Sequence, residues 1–150
     1  MSEAHSAEER AACWSIREAV FIREQGIDEE IERDGLDDVA WHLVARDDEG
    51  RAVGTARILA LDSDHVPVAR GRGTIVKIGR MAVAPANRGL GVGRMLLDAA
   101  LALAREHGYE SAELSAQEQV IPFYEKASFR SAGDPYLEAG IAHRRMSRRL

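Results

Sequence analysis

The chain holds 150 residues, 45% of them apolar and 30% charged, with a formal net charge of −5. This is the composition of one ordinary globular domain, and its acidic balance argues against a nucleic-acid partner, whose phosphates call for Lys and Arg. No apolar run is long enough to span a bilayer, Met1–Glu9 lacks the apolar stretch of a secretory signal, and the lone Cys13 excludes an internal disulfide. One cytoplasmic domain over residues 1–150 is therefore expected, with no membrane and no nucleic acid. One cysteine and scattered histidines offer no metal-ligand spacing, so no metal is expected.

Taken in chain order, Ala7–Arg23 reads as a helix, with Ala12, Ile16, Ala19 and Val20 at three and four residue spacing. Asp28–Asp38 is acidic, punctuated by Gly26 before it and Gly35 within it, and reads as a solvated loop holding one short helical turn. Trp41–Arg46 and Ala52–Leu61 read as strands joined through Asp47-Asp-Glu-Gly50, a hairpin. Asp62–Gly73 is a longer loop, and Thr74–Val83 a third strand. A glycine-rich turn then leads into a strong helix over Val92–His107, which Gly108 ends. Ser111–Ala116 is a strand, Val120–Ala127 a short helix with Pro122 in its first turn, and Phe129–Ala132 and Ile141–Ser147 two further strands. The sum is a mixed sheet with helices in an α/β arrangement, with a strand–helix–strand unit at its centre.

The turn Arg88-Gly-Leu-Gly-Val-Gly93 sits where a helix begins, so unpartnered N–H groups and the positive end of the helix dipole meet there. A phosphate is favoured at such a point, and glycine lets the backbone approach it closely. Arg88 and Arg94 add charge. The dinucleotide pattern G-x-G-x-x-G fails, because the third position counted from Gly89 is Arg94, and the P-loop pattern is absent.

The spacing Arg88-x-x-Gly91-x-Gly93 instead resembles the pyrophosphate turn of the GNAT superfamily of N-acetyltransferases. Lys77-Ile-Gly-Arg-Met-Ala-Val83 is similar to that family's fourth strand, and Ile121-Pro-Phe-Tyr-Glu-Lys-Ala-Ser-Phe129 to its I-P-F-Y-E-K-x-G-F stretch. Val20–Ile27 and Glu138–His143 resemble the ElaA/YjcF-like subgroup. The resemblance implies a GNAT fold: a mixed, mostly antiparallel central sheet flanked by helices, with the family's fourth and fifth strands splayed. It implies acetyl-CoA as cofactor, its pantetheine arm paired beside Met81, Ala82 and Val83 and its pyrophosphate on Arg88, Gly89, Leu90, Gly91, Val92, Gly93 and Arg94. It places Tyr124 as the acid that assists the departing thiolate, and a small-molecule amine as the acceptor. A homodimer follows from the superfamily's habit alone.

The proton acceptor stays open. Many relatives carry a glutamate where this chain has Gly79. Glu113 and Glu125 read as solvent-facing charges, while His42, His143 and a water relay are alternatives. Arg57 and Arg80 are candidates to hold an anionic group of the substrate, with Gln117 and His143 nearby. Ser115 and Ser128 replace the Asn and Gly that the resemblance leads one to expect. The arginine-rich end, Arg144–Arg149, reads as an exposed terminal strand that discourages edge pairing. The same scaffold also admits a coenzyme A-binding sensor or a protein-lysine acetyltransferase.

Overall fold

The computed structural model describes residues 1–150. Its strands are β1 (Ser2–Glu3), β2 (Trp41–Arg46), β3 (Ala52–Leu61), β4 (Pro67–Val68), β5 (Ile75–Val83), β6 (Ser111–Gln117), β7 (Arg130–Glu138) and β8 (Ile141–Arg149). Its helices are α1 (Ala7–Arg17), α2 (Glu29–Glu32), α3 (Val92–Glu106) and α4 (Ile121–Glu125). The strands form one sheet in the order β1-β2-β3-β5-β6-β8-β7, with β4 beside β3. Every pairing is antiparallel except β5 with β6, which α3 connects. This is the expected mixed, mostly antiparallel α/β sheet flanked by helices.

Each helix forms for a local reason. Ser6 and Glu9 make a reciprocal capping box at the start of α1. Leu96, Leu97, Ala100, Leu101, Leu103 and Ala104 give α3 an apolar stripe, which packs with Ile58, Val76, Ala112, Leu114 and Met146 into the main core. α3 can lie close to β3 because residue 54 is glycine: a Cβ there would stand 2.9 Å from both Leu96 Cδ1 and Val92 Cγ1. The opposite face of the sheet is covered by α1 through Cys13 and Ile16 and by the turn after it through Val20, packed on Val44 and Ala82.

Several expectations need correction. The first helix stops being α at Arg17 and continues as a π-helix over Glu18–Glu24. The acidic segment is no solvated loop. Arg17 Nε lies 2.6 Å from Glu32 Oε1 and Arg17 Nη1 3.0 Å from Asp37, while Arg57 grips Asp34 at 2.7 and 2.8 Å and Asp37 at 3.1 Å. Glu32 is only 2% exposed. Three arginines, with Arg80 the third, draw these carboxylates under the sheet, a tertiary effect with no local signature. The final strand is not an edge either: β8 lies between β6 and β7, and β7 is the edge, running well past Ala132. The short strands β1 and β4 went unseen, being too brief to show a period. No helix is long and apolar enough to cross a membrane.

Candidate active site

β5 and β6 pair only over Ile75–Lys77 and Ser111–Glu113. Beyond these residues the two strands part, leaving the β6-facing edge of Ile78–Val83 without a ladder. On its other side β5 stays paired with β3 but carries a bulge opposite Thr55–Arg57, in which Arg80 takes the left-handed φ of 49°. A left-handed arginine is an uncommon conformation, and bulges concentrate where a strand must be redirected. Parting and bulge together open a cavity of about 1130 Å3, whose lining includes Met81, Ala82, Val83, Tyr124, Gln117 and His143.

The glycine turn forms one end of this cavity. Gly91 caps α3 with φ 82°, and Gly89 has φ 80°. A Cβ on either would meet nothing within 4 Å, so the turn faces open space. The backbone N–H groups from Gly89 to Arg94 find no acceptor within the protein, since the first bond reaching back into this turn is Met95 N–H to Gly91 O. Six such donors at the start of a 15-residue helix make a concave cradle for an anion. Gly93 is not left-handed; a Cβ there would rest in ordinary contact with Phe123. Leu90 is exposed and Val92 half-buried at the same mouth. Arg88 turns away from the cradle and forks onto Glu24 at 2.8 Å through both nitrogens, with Nε on Val83 O at 3.1 Å. Arg94 bonds Asp98 one turn along α3.

Tyr124, on α4, is packed edge-on against Phe123 and Phe129. Its hydroxyl points at Met81 Sδ, 4.0 Å away, a weak acceptor. Burial alone pushes its phenol up to about 12. Opposite, at the end of the β6–β8 ladder, Gln117 pairs with His143 in register. Gln117 bonds Gln25 at 3.0 Å, tying β6 to the chain just past the π-helix. His143 is buried, with Nδ1 2.7 Å from Ile141 O and Nε2 3.5 Å from Glu138 Oε2, and its ring stacks on Tyr136. Because a carbonyl only accepts, Nδ1 carries a hydrogen, and Nε2 is the ring nitrogen that faces Glu138. Ser115 bridges Tyr136 and Glu138.

The remaining candidates sort by position. Arg57 and Arg80 line the cavity wall, yet both guanidinium groups are turned onto the acidic segment, Arg80 reaching Glu32 O at 3.0 Å and Asp34 at 3.2 Å. Their charge is thus used within the protein. His42 is buried on β2 with Nε2 2.8 Å from Asp37 O, and burial lowers its pKa; it holds the acidic segment. Glu113 is not a solvent-facing charge: it is 8% exposed, bonded to Arg145 at 3.2 Å and to His65. Glu125 is exposed on α4, as expected. Sequence reading missed Glu24, Gln25, Tyr136 and Glu138. Glu24, Gln25 and Glu138 lie in the segments Val20–Ile27 and Glu138–His143 that carry the subgroup resemblance, which gave them no role of their own.

The acetyltransferase (GNAT) domain family model matches residues 4–150. The chain is 33% identical over 144 residues to the uncharacterized N-acetyltransferase YjcF of Bacillus subtilis (strain 168), covering 95% of this chain and 94% of the relative. Among solved structures, Escherichia coli ElaA superposes with a TM-score of 0.80 at 28% identity, over 98% of this chain and 97% of that one. An acyl-CoA N-acyltransferase from Pseudomonas aeruginosa superposes with a TM-score of 0.79 at 33% identity, over 96% and 92%.

Proposed function

The chain belongs to the GNAT family as an N-acetyltransferase of the ElaA/YjcF-like subgroup, and on that premise we propose that it moves the acetyl group of acetyl-CoA to the primary amine of a small molecule. The observation that carries the choice of donor is the cradle: six unpartnered N–H groups on a glycine turn, opening into the gap between β5 and β6. A pyrophosphate suits the first and an extended pantetheine arm the second. We take residues 1–150 as one catalytic domain, working in the cytoplasm as a homodimer.

Residues Gly89–Arg94 hold the pyrophosphate through backbone hydrogen bonds, with the positive end of α3 behind them. Arg88 fixes the turn by its fork onto Glu24. The free edge of Met81–Val83 offers N–H donors to the arm and to negative charge developing on the thioester oxygen. When bound, acetyl-CoA supplies an activated acyl group on a sulfur leaving group.

Tyr124 stays protonated throughout the physiological range, because burial lifts its pKa. A thiol has a pKa of about 8.5, so full proton transfer from this phenol is uphill. Its role is to donate a hydrogen bond to the departing sulfur, a far better acceptor than the thioether of Met81. The incoming alkylamine, with a pKa of about 10.4, arrives as a cation. His143 accepts its proton at Nε2, directly or through water, and Glu138 holds the resulting imidazolium. Gln117 lies beside this pair and orients the acceptor. Release of free thiol from acetyl-CoA in the presence of a panel of primary amines tests the proposal. Amine-dependent release supports it, and release with no amine in the panel sinks the small-molecule acceptor.

A further inference from the structure

The half of the sheet formed by β6, β8 and β7 carries a second concavity that acetyl transfer does not use. It is a bowl of about 460 Å3 lined by Arg130, Arg145, Arg148 and Arg149, with Ser111, Ser128 and Ser147 between them. The register explains the gathering. Ser111 lies opposite Arg149, and Ser147 lies opposite both Glu113 and Arg130. Arg145, Ser147 and Arg149 of β8 thus share one face with Ser111 and Glu113 of β6 and Arg130 of β7, while Arg148 is of the opposite alternation and bonds Ala127 O.

Two of these arginines are partly engaged. Arg145 reaches Glu113, and Arg148 reaches Ala127 O at 2.8 Å and Arg149 O at 2.9 Å. The guanidinium groups of Arg130 and Arg149 and the three serine hydroxyls have no hydrogen-bond partner within the protein. Arg130, Arg145 and Arg149 around one carboxylate repel one another, and they do so in a chain whose net charge is −5. Planar guanidinium forks among hydroxyl donors are the chemistry that recognises a phosphate or sulfate group.

Position narrows the ligand further. Glu113 and His65 line both the bowl and the acetyl-transfer cavity, so the two adjoin across the bonded group His65, Glu113 and Arg145. Ser111 pairs with Ile75 at the start of β5, whereas the glycine turn follows Val83 at its end. Eight residues of strand separate those levels by roughly 26 Å. On β8 His143 and Arg149 stand six residues apart, roughly 20 Å. We propose that the bowl binds a phosphate or sulfate group, the anionic end of an elongated acceptor whose amine is presented near His143. Naming the acceptor rests on the transferase reading; the affinity of the bowl for an anion does not.

Calorimetric titration of the CoA-saturated protein with inorganic pyrophosphate tests this, because CoA then fills the glycine turn. One saturable site is expected, weakened at least tenfold in the double variant Arg130→Gln/Arg149→Gln. It is unchanged in Arg144→Gln, whose residue shares the face of Met146. Affinities for CoA and for dephospho-CoA stay unchanged in the double variant. Absence of pyrophosphate binding, or binding that survives the double substitution, overturns the proposal. A selective loss of CoA affinity over dephospho-CoA would make the bowl the coenzyme's 3′-phosphate site and overturn the acceptor assignment. Length-dependent binding of single-stranded RNA through the same arginines would overturn it as well. If wild-type protein fails to bind CoA, the transferase reading falls, while the pyrophosphate titration compared across the same variants still decides the bowl.

Discussion

At the scale of single residues, the proposed mechanism divides the chemistry between Tyr124 and His143. Tyr124→Phe removes one hydroxyl from a packed ring, so acetyl-CoA affinity is expected to hold while kcat falls by about 10- to 100-fold, the worth of one hydrogen bond to a developing charge. Equal affinity and equal kcat would remove Tyr124 from the mechanism. His143→Gln keeps a polar side chain but no base. Its kcat/KM at neutral pH should fall about 100-fold, and the deficit should shrink as pH rises toward the amine's own pKa, where solvent does the deprotonation. A deficit that stays constant across that range would point to a purely structural role. The groups that face His143 are Glu138 and Tyr136 from β7 and Gln117 from β6. Of these residues, Tyr124 stood out in the sequence because its motif is contiguous. The role of His143 was open there, because its tautomer depends on Ile141 O and its partner Glu138 sits across a hairpin.

Among the elements, α3 and the acidic segment show what sequence does and does not disclose. The helix was legible because an apolar stripe and a glycine turn are local signals. Its distance from β3 depends on Gly54, so Gly54→Ala should cost about 1–3 kcal/mol by overpacking, measured by urea unfolding with the slope unchanged; a cost near zero would mean that α3 shifts freely. The acidic segment read as solvated because nothing within it announces a partner. Its partners Arg17, Arg57 and Arg80 come from α1, β3 and β5, and only the fold brings them together. Glu32→Ala leaves Arg17, in a dry site, with Asp37 as its one carboxylate partner and should cost about 3 kcal/mol. A loss below about 1 kcal/mol would show that water reaches the cluster. The splay was implied by resemblance alone, because no feature of β5 or β6 taken singly requires them to part.

For the molecule as a whole, the same cluster is expected to contribute to the response to acid. Burial alone would raise the pKa of Asp34, but the hydrogen bond and charge of Arg57 outweigh it and hold the carboxyl at about 2, below its ordinary 3.8. Asp37 is lowered likewise, by Arg17 and Arg57 against burial. A depressed carboxyl contributes stability above its unfolded pKa, and that contribution is lost as pH falls through the folded value. Stability contributed by this cluster should therefore hold down to about pH 4 and be lost between pH 4 and 2. In Arg57→Gln the loss should begin at higher pH; an unaltered acid transition would show that the cluster does not govern it.

The central claim is that the cradle and the splayed strands form an acetyl-CoA site, and thermal unfolding with and without acetyl-CoA tests it most directly. At 100 times its dissociation constant a ligand stabilises the native state by about 2.7 kcal/mol, which for a domain of this size raises the midpoint by roughly 5–10 °C. The account predicts that rise with acetyl-CoA and a much smaller one with NAD or ATP, which carry phosphates but no pantetheine arm. No rise at millimolar acetyl-CoA would contradict it, and the proposed transfer reaction would fall with it.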